Sequence, residues 1–153
     1  HVTGFYRQDE VVGLKDPARP DGLYGLSKAC GEDLSRFYFD RYGIETVCLR
    51  IGSSFPEPRN RRMLATWMSY DDLERLVVAS LTAPVVGHSI IYGMGDNTTT
   101  WWDNTLARHI GYRPQDSSEP FRAKIEAADP QPDMTDPAVI FQGGPFVRTG
   151  PFE

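Results

Sequence analysis

Histidine and cysteine are scarce, with three of the first and two of the second in 153 residues. His1, His88, His109, Cys30 and Cys48 stand in no metal-ligand spacing, which excludes a zinc site of the usual kind. The two cysteines lie in apolar stretches and read as buried free thiols of a reducing compartment, not as a disulfide framework. Long hydrophobic runs are missing too. No stretch approaches the roughly 20 apolar residues that cross a bilayer, and no leader is legible at the start. The expectation is a soluble cytoplasmic protein with no membrane partner. Basic residues are outnumbered, 16 against 21 acidic, for a net charge of −5. A nucleic-acid partner requires a basic face, so that class is set aside. Also lacking is the Gly-x-Gly-x-x-Gly turn that cradles a dinucleotide pyrophosphate. Gly93-Met94-Gly95-Asp96 follows a strand-like run, but neither a third glycine nor a fitting helix start completes it.

What is present is ordinary globular material, 40% hydrophobic and 24% charged, long enough for one core. Residues 1 to 20 read as a loop. The spacing of Leu26, Cys30, Leu34, Phe37 and Tyr38 predicts a helix from about Gly22 to Tyr42. Asp21 is its candidate N-cap and Gly43 its stop. Glu45 to Gly52 reads as a strand that ends in a loop. Ser69 and Asp72 resemble a capping box, and the helix behind them is expected to bury Leu73, Leu76, Val77 and Leu81. Ser89 to Tyr92 reads as a second strand closed by Gly93, and Trp101 to His109 as a short helix. After Gly111 the chain turns proline-rich, with Pro114, Pro120, Pro130, Pro132 and Pro137, and reads as a tail that wraps the domain. Helix, strand, helix, strand implies α/β architecture with parallel strands. Trp101 and Trp102 are assigned to packing, His88 and His109 to the surface, and Asp71 and Asp72 to helix-start charges favoured by the dipole.

Chemistry concentrates in Leu23-Tyr24-Gly25-Leu26-Ser27-Lys28. Residues i and i+4 share a helix face, so Tyr24 and Lys28 are neighbours. A phenol is a poor base near neutrality, and an adjacent cation favours the phenolate. Such a tyrosine can take a proton from a hydroxyl while hydride leaves the same carbon. The lysine keeps donors for a ribose hydroxyl.

With Arg19-Pro20-Asp21 before it, Glu32 after it and Leu49-Arg50-Ile51-Gly52 beyond, this segment resembles the extended short-chain dehydrogenase/reductase family. Further segments are similar to the branch that oxidises uronic acids. They are His1 to Tyr6, Ile51 to Ser54 with Pro56-Glu57-Pro58, Arg62 to Trp67, Val86 to Gly93, Trp101 to Asn104, Pro114 to Asp116 and Phe141 to Gly144. The resemblance implies the C-terminal part of a Rossmann-type doubly wound parallel sheet with short substrate-binding segments. Residues 1 to about 112 would be the catalytic and substrate-binding part, and about 113 to 153 the tail. The dinucleotide-binding half would lie outside the sequence. The resemblance also implies NAD as cofactor, held by Tyr24, Lys28 and Ile51, and a hexuronate as substrate, held by His1, Ser53 and Arg62. A guanidinium suits a carboxylate because it offers two parallel hydrogen bonds. The family's polarising serine would precede His1, so the 153 residues alone are expected to be a poor enzyme, and to fold badly because half a parallel sheet would leave apolar faces uncovered. The family often dimerises through the tyrosine helix and its neighbour, and Leu34, Phe37 and Phe39 leave room for such a homo-oligomer face or for core packing. Two other readings share the scaffold: a sugar-nucleotide epimerase or dehydratase, and a non-catalytic NAD-binding protein.

Overall fold

Glycines bracket the first helix. In the computed structural model, which describes residues 1–128 and 132–149, helix α1 spans Leu23–Tyr42. Gly43 ends it at φ 69°, with its N–H bonded to the Phe39 carbonyl, in the left-handed region where a residue without Cβ is unstrained. The start differs from the expectation. Gly22, not Asp21, is the N-cap, and no side chain caps the helix. The Asp21 side chain is turned inward and buried, because its carboxylate bonds His1 instead of the helix N-terminus.

Strand β1 (Thr46–Ile51), strand β2 (Ser53–Ser54), the single turn α2 (Met63–Thr66), strand β3 (Trp67–Met68), helix α3 (Tyr70–Thr82) and strand β4 (His88–Gly93) follow. β1 and β4 run parallel, from Thr46 opposite His88 to Ile51 opposite Gly93. The chain passes through α3 between them, as a parallel pair requires. β2 and β3 form a second parallel pair, Ser53 opposite Trp67. Strands of two residues have no periodicity, so that pair left no trace in the sequence pattern. The class is α/β with parallel strands, as expected.

Ser69 caps α3 by accepting the Asp72 N–H at 2.9 Å. Asp72 is more than a helix-start charge, for it is fully buried. It accepts the N–H groups of Gln115 at 2.8 Å and Asp116 at 3.0 Å and pairs with Arg75 at 2.5 Å. These bonds fasten the segment after Gly111 to α3. The Ser69 hydroxyl, with help from Arg75, holds the Asp116 carboxyl below its usual range.

Burial along the helices is narrower than their patterns predict. On α3 Leu76 is fully buried, yet Val77 is exposed and Leu81 is 81% exposed. On α1 only Gly25 is buried, while Leu26, Leu34, Phe37 and Tyr38 are exposed. Cys30 is exposed as well, which corrects the expectation of a buried thiol, and Cys48 is half-buried. Both thiols are free. Burial pushes the Cys48 thiol up. The physical reason is area: a two-stranded sheet covers only part of each helix face.

Two apolar clusters form the core. One holds Met68, Leu76, Ile91, Ala107, Ile110 and Tyr112. The other gathers Val12, Ala65, Tyr92, Trp101 and Trp102. The tryptophans are packed inside, as expected, and Trp102 stacks on Tyr92 at 5.0 Å with 5° between the planes. They precede the helix predicted there, which shortens to a 3-10 helix over Thr105–Ile110. Val12 takes the tryptophan backbone instead, its N–H bonding the Trp101 carbonyl at 2.7 Å. His109 is exposed but bonds Ser89 at 3.0 Å, and His88 is half-buried and bonds Ser35 at 2.9 Å, so neither is a free surface residue. Helices α4 (Arg122–Ala128) and α5 (Pro137–Ile140) lie in the last part of the chain. Pro130 lies outside the described residues. Among the described residues no helix is long and apolar enough to cross a membrane.

Leu76 sits where α3 meets the sheet. Leu76→Ala is expected to cost about 2–5 kcal/mol by leaving a cavity, read as a lowered denaturant midpoint with an unchanged slope.

Candidate active site

Tyr24 and Lys28 stand one turn apart near the start of α1. The Lys28 Nζ lies 5.2 Å from the centre of the Tyr24 ring. Its ammonium has no hydrogen-bond acceptor among the described residues, so its donors remain available. Tyr24 is more than half exposed. Gly25 between them is buried because the first turn presses on the N-terminal loop, where a Cβ would run into the His1 carbonyl. Behind the pair, Glu32 of α1 binds Arg50 of β1 through two hydrogen bonds of 2.8 and 2.7 Å. Arg50 also donates to the Tyr92 hydroxyl of β4 at 2.9 Å. This clamp sets the register of helix against sheet.

The carboxyl end of β1 supplies a second wall. Gly52 bonds the Gly93 carbonyl at 2.8 Å. A Cβ there would collide with the Thr66 carbonyl and meet Trp102 at 3.0 Å. Glycine is therefore required for the chain to turn from Ile51 into Ser53. The Ser53 hydroxyl is buried against Thr66 at 2.9 Å.

The third wall carries Arg62. Its Nε donates to the Gln142 carbonyl at 2.8 Å, and its Cζ lies 5.9 Å from the Trp101 ring. A Cβ at Gly144 would press on the Arg62 side chain at 2.8 Å. Burial lowers the Arg62 pKa from the ordinary guanidinium value, with the Asp21 charge pulling the other way. The group remains a cation, as arginine does in proteins. Its two Nη nitrogens make no hydrogen bond among the described residues. Neighbouring arginines go elsewhere: Arg59 stacks on Phe55 at 4.1 Å and Arg61 bonds the Glu126 carbonyl at 3.1 Å.

His1 closes the ring of side chains. Its Nδ1 bonds Asp21 at 2.6 Å. Its ring lies 3.9 Å from Phe146 and meets Tyr24 edge-on at 5.6 Å. A cavity of about 880 Å³ is lined by His1, Tyr24, Lys28, Ile51, Ser53 and Arg62, among others. All six residues singled out in the sequence thus face one space. Three others were given no role in the site by the sequence. Asp21 was read as a cap. Gln142 is buried and ties the site to the tail, taking Trp102 Nε1 at 3.0 Å and donating to the Arg7 and Glu10 carbonyls. Phe146 covers His1. Their partners are remote in sequence, so no local signal marks these roles.

A phenol beside a cation can move a proton, and a guanidinium with a free edge can hold a carboxylate. The cavity opens at the carboxyl ends of parallel strands, where open α/β sheets bind ligands.

No protein-family model matches the chain. A uronate dehydrogenase of Pseudomonas putida is 60% identical over 152 residues, covering 99% of this chain and 56% of that protein. One from Pseudomonas syringae pv. tomato is 59% identical over 152 residues, covering 99% and 55%. A solved mutant of Agrobacterium tumefaciens uronate dehydrogenase complexed with NAD gives a TM-score of 0.95 at 48% identity, covering 100% of this chain and 58% of that one. The chain spans about half the length of the curated relatives it matches. Over the stretch that it spans, the chain is similar to uronate dehydrogenases and shares their Rossmann-type fold.

Proposed function

We propose that the protein containing this chain oxidises the C1 hydroxyl of a cyclic hexuronate, glucuronate or galacturonate, to an aldarolactone with NAD⁺ in the cytoplasm. The observation that carries the reading is the meeting of a cation-supported phenol and a free-edged guanidinium across one cavity. Identity near 60% to uronate dehydrogenases supports it.

The residues present suit the nicotinamide end of NAD. Lys28 has unused donors beside Tyr24 for a ribose hydroxyl, and Ile51 is exposed on the cavity wall. The glycine-rich turn for the pyrophosphate has no counterpart in this sequence. We assign it to the other half of the enzyme, of which this chain would be the C-terminal part. When bound, NAD⁺ accepts the hydride. Tyr24 takes the C1 hydroxyl proton as the C1–H bond breaks and the C1 oxygen becomes a carbonyl. Lys28 stands over the Tyr24 ring and keeps its donors for the nicotinamide ribose. Arg62 holds the substrate carboxylate with its Nη edge while the Gln142 carbonyl fixes Nε. Ser53 and His1 bond sugar hydroxyls. One uronate and one NAD⁺ give one lactone, one NADH and one proton.

The test is NADH formation by the full-length protein with glucuronate and with galacturonate. Turnover with either is expected. A folded protein that binds NAD and oxidises neither overturns the substrate assignment.

A further inference from the structure

The most unusual charge in the chain is Asp21, 3% exposed and one residue before the N-cap of α1. Burying a carboxylate costs several kcal/mol unless partners replace its water. Here the surroundings are shaped to admit it. A Cβ at Gly4 or Gly143 would run into the carboxylate, and one at Gly25 would come within 3.1 Å of Oδ1. Three glycines from three parts of the chain make this niche. Inside it Oδ2 bonds His1 Nδ1 at 2.6 Å, and Oδ1 has no partner among the described residues. The charge is eased by the N-terminus of a 20-residue helix. It is not there to cap that helix, since no side chain does.

The chemistry at His1 follows from the acceptor. An ionised carboxylate only accepts, so Nδ1 carries the hydrogen. In the neutral ring Nε2 then holds a lone pair and accepts. Packing fixes the ring plane, with Phe146 at 3.9 Å and Tyr24 edge-on at 5.6 Å. His1 lines the same cavity as the Tyr24 phenol.

We propose that Asp21 is a positioning residue that acts through His1, fixing its tautomer and orientation so that Nε2 accepts a hydrogen bond from a substrate hydroxyl beside Tyr24. Asp21 touches neither substrate nor cofactor. The inference rests on the uronate reading for its substrate and adds to it what His1 recognises: a donating hydroxyl, and not the carboxylate, which belongs to Arg62. A buried, oriented carboxylate behind an imidazole is also how histidine ligands elsewhere are held to one tautomer.

The experiment is a double-mutant cycle in the full-length protein with Asp21→Asn, His1→Ala and both together. KM and kcat for the uronate, NAD affinity and Tm are measured for each. Asp21→Asn keeps the shape of the side chain and removes its charge. It is expected to raise KM roughly tenfold, in line with one lost hydrogen bond, with the loss falling on KM more than on kcat. In the His1→Ala background the same change is expected to leave KM where it is. Effects on KM that multiply across the two sites would overturn the proposal, as would a lowered Tm with KM unmoved in Asp21→Asn. Nitrogen NMR of the His1 ring gives a second readout that requires no turnover. The Nδ1-protonated tautomer is expected in the parent protein and its preference is lost in Asp21→Asn. An Nε2-protonated or doubly protonated ring in the parent at neutral pH defeats the idea. Absence of turnover in the parent would defeat the uronate reading instead, and the tautomer measurement would then decide this one alone.

Discussion

Tyr24→Phe in the full-length protein is expected to lower kcat/KM for uronate oxidation by roughly 10²–10⁴-fold, the usual contribution of a positioned acid or base. The substitution is narrow. Phenylalanine keeps the ring beneath the Lys28 ammonium at 5.2 Å and against the edge of His1 at 5.6 Å. It removes only the hydroxyl, which is more than half exposed with its residue and caps nothing in the core. Stability should therefore stay close to the parent value, so the loss does not report folding, and the NAD titration separates lost chemistry from lost cofactor contact. The measurement is steady-state NADH formation beside NAD titration and a thermal melt. Retention of more than about a tenth of the parent kcat/KM would remove Tyr24 from the role of base, since that is below the lowest contribution expected of one.

Arg62→Met is expected to raise KM for a uronate by roughly 30- to 5,000-fold, the range that about 2–5 kcal/mol gives for a charge left without its partner. Methionine keeps much of the stem that lies against Gly144 and removes the guanidinium. The loss should be confined to substrates that carry a carboxylate. For a neutral aldohexose oxidised at the same carbon, kcat/KM should change much less, so the preference for acid over neutral sugar collapses. Arg62→Met also strands the Gln142 carbonyl, which loses its 2.8 Å bond. Arg62→Lys separates the two effects, because it restores charge without the planar fork. A partial recovery of KM in the lysine variant supports carboxylate binding. Equal losses for acid and neutral sugars would assign Arg62 to structure alone.

Local features of the fold were legible. The α1 boundary at Gly43, the Ser69 cap of α3 and the β1 and β4 runs depend on contacts within a few residues, and those were present in the pattern. Burial was not. Leu34, Phe37 and Leu81 carry the apolar periodicity of a covered face and remain exposed. Periodicity reports which side of a helix could be covered, while coverage depends on how much sheet lies beneath it. The Trp101–Trp102 pair failed as a helix start for a related reason, since a residue 89 positions earlier, Val12, claimed its backbone.

The site divides in the same way. Tyr24 and Lys28 are neighbours by helical geometry alone, so the amino-acid order determined their pairing and the proton chemistry it allows. The same order pointed to the α/β class, because a helix between two strands supplies the crossover that a parallel pair requires. Only the tertiary structure decided that Arg62 would meet the Gln142 carbonyl 80 residues away, and that His1 would be held by Asp21 20 residues away. Asp21 is the instructive case. Beside a helix start an aspartate is expected to cap the helix, because the free N–H groups there are its nearest donors. Here the glycines at 4, 25 and 143 open a buried niche that only the folded chain assembles, and the side chain turns into it to hold a histidine.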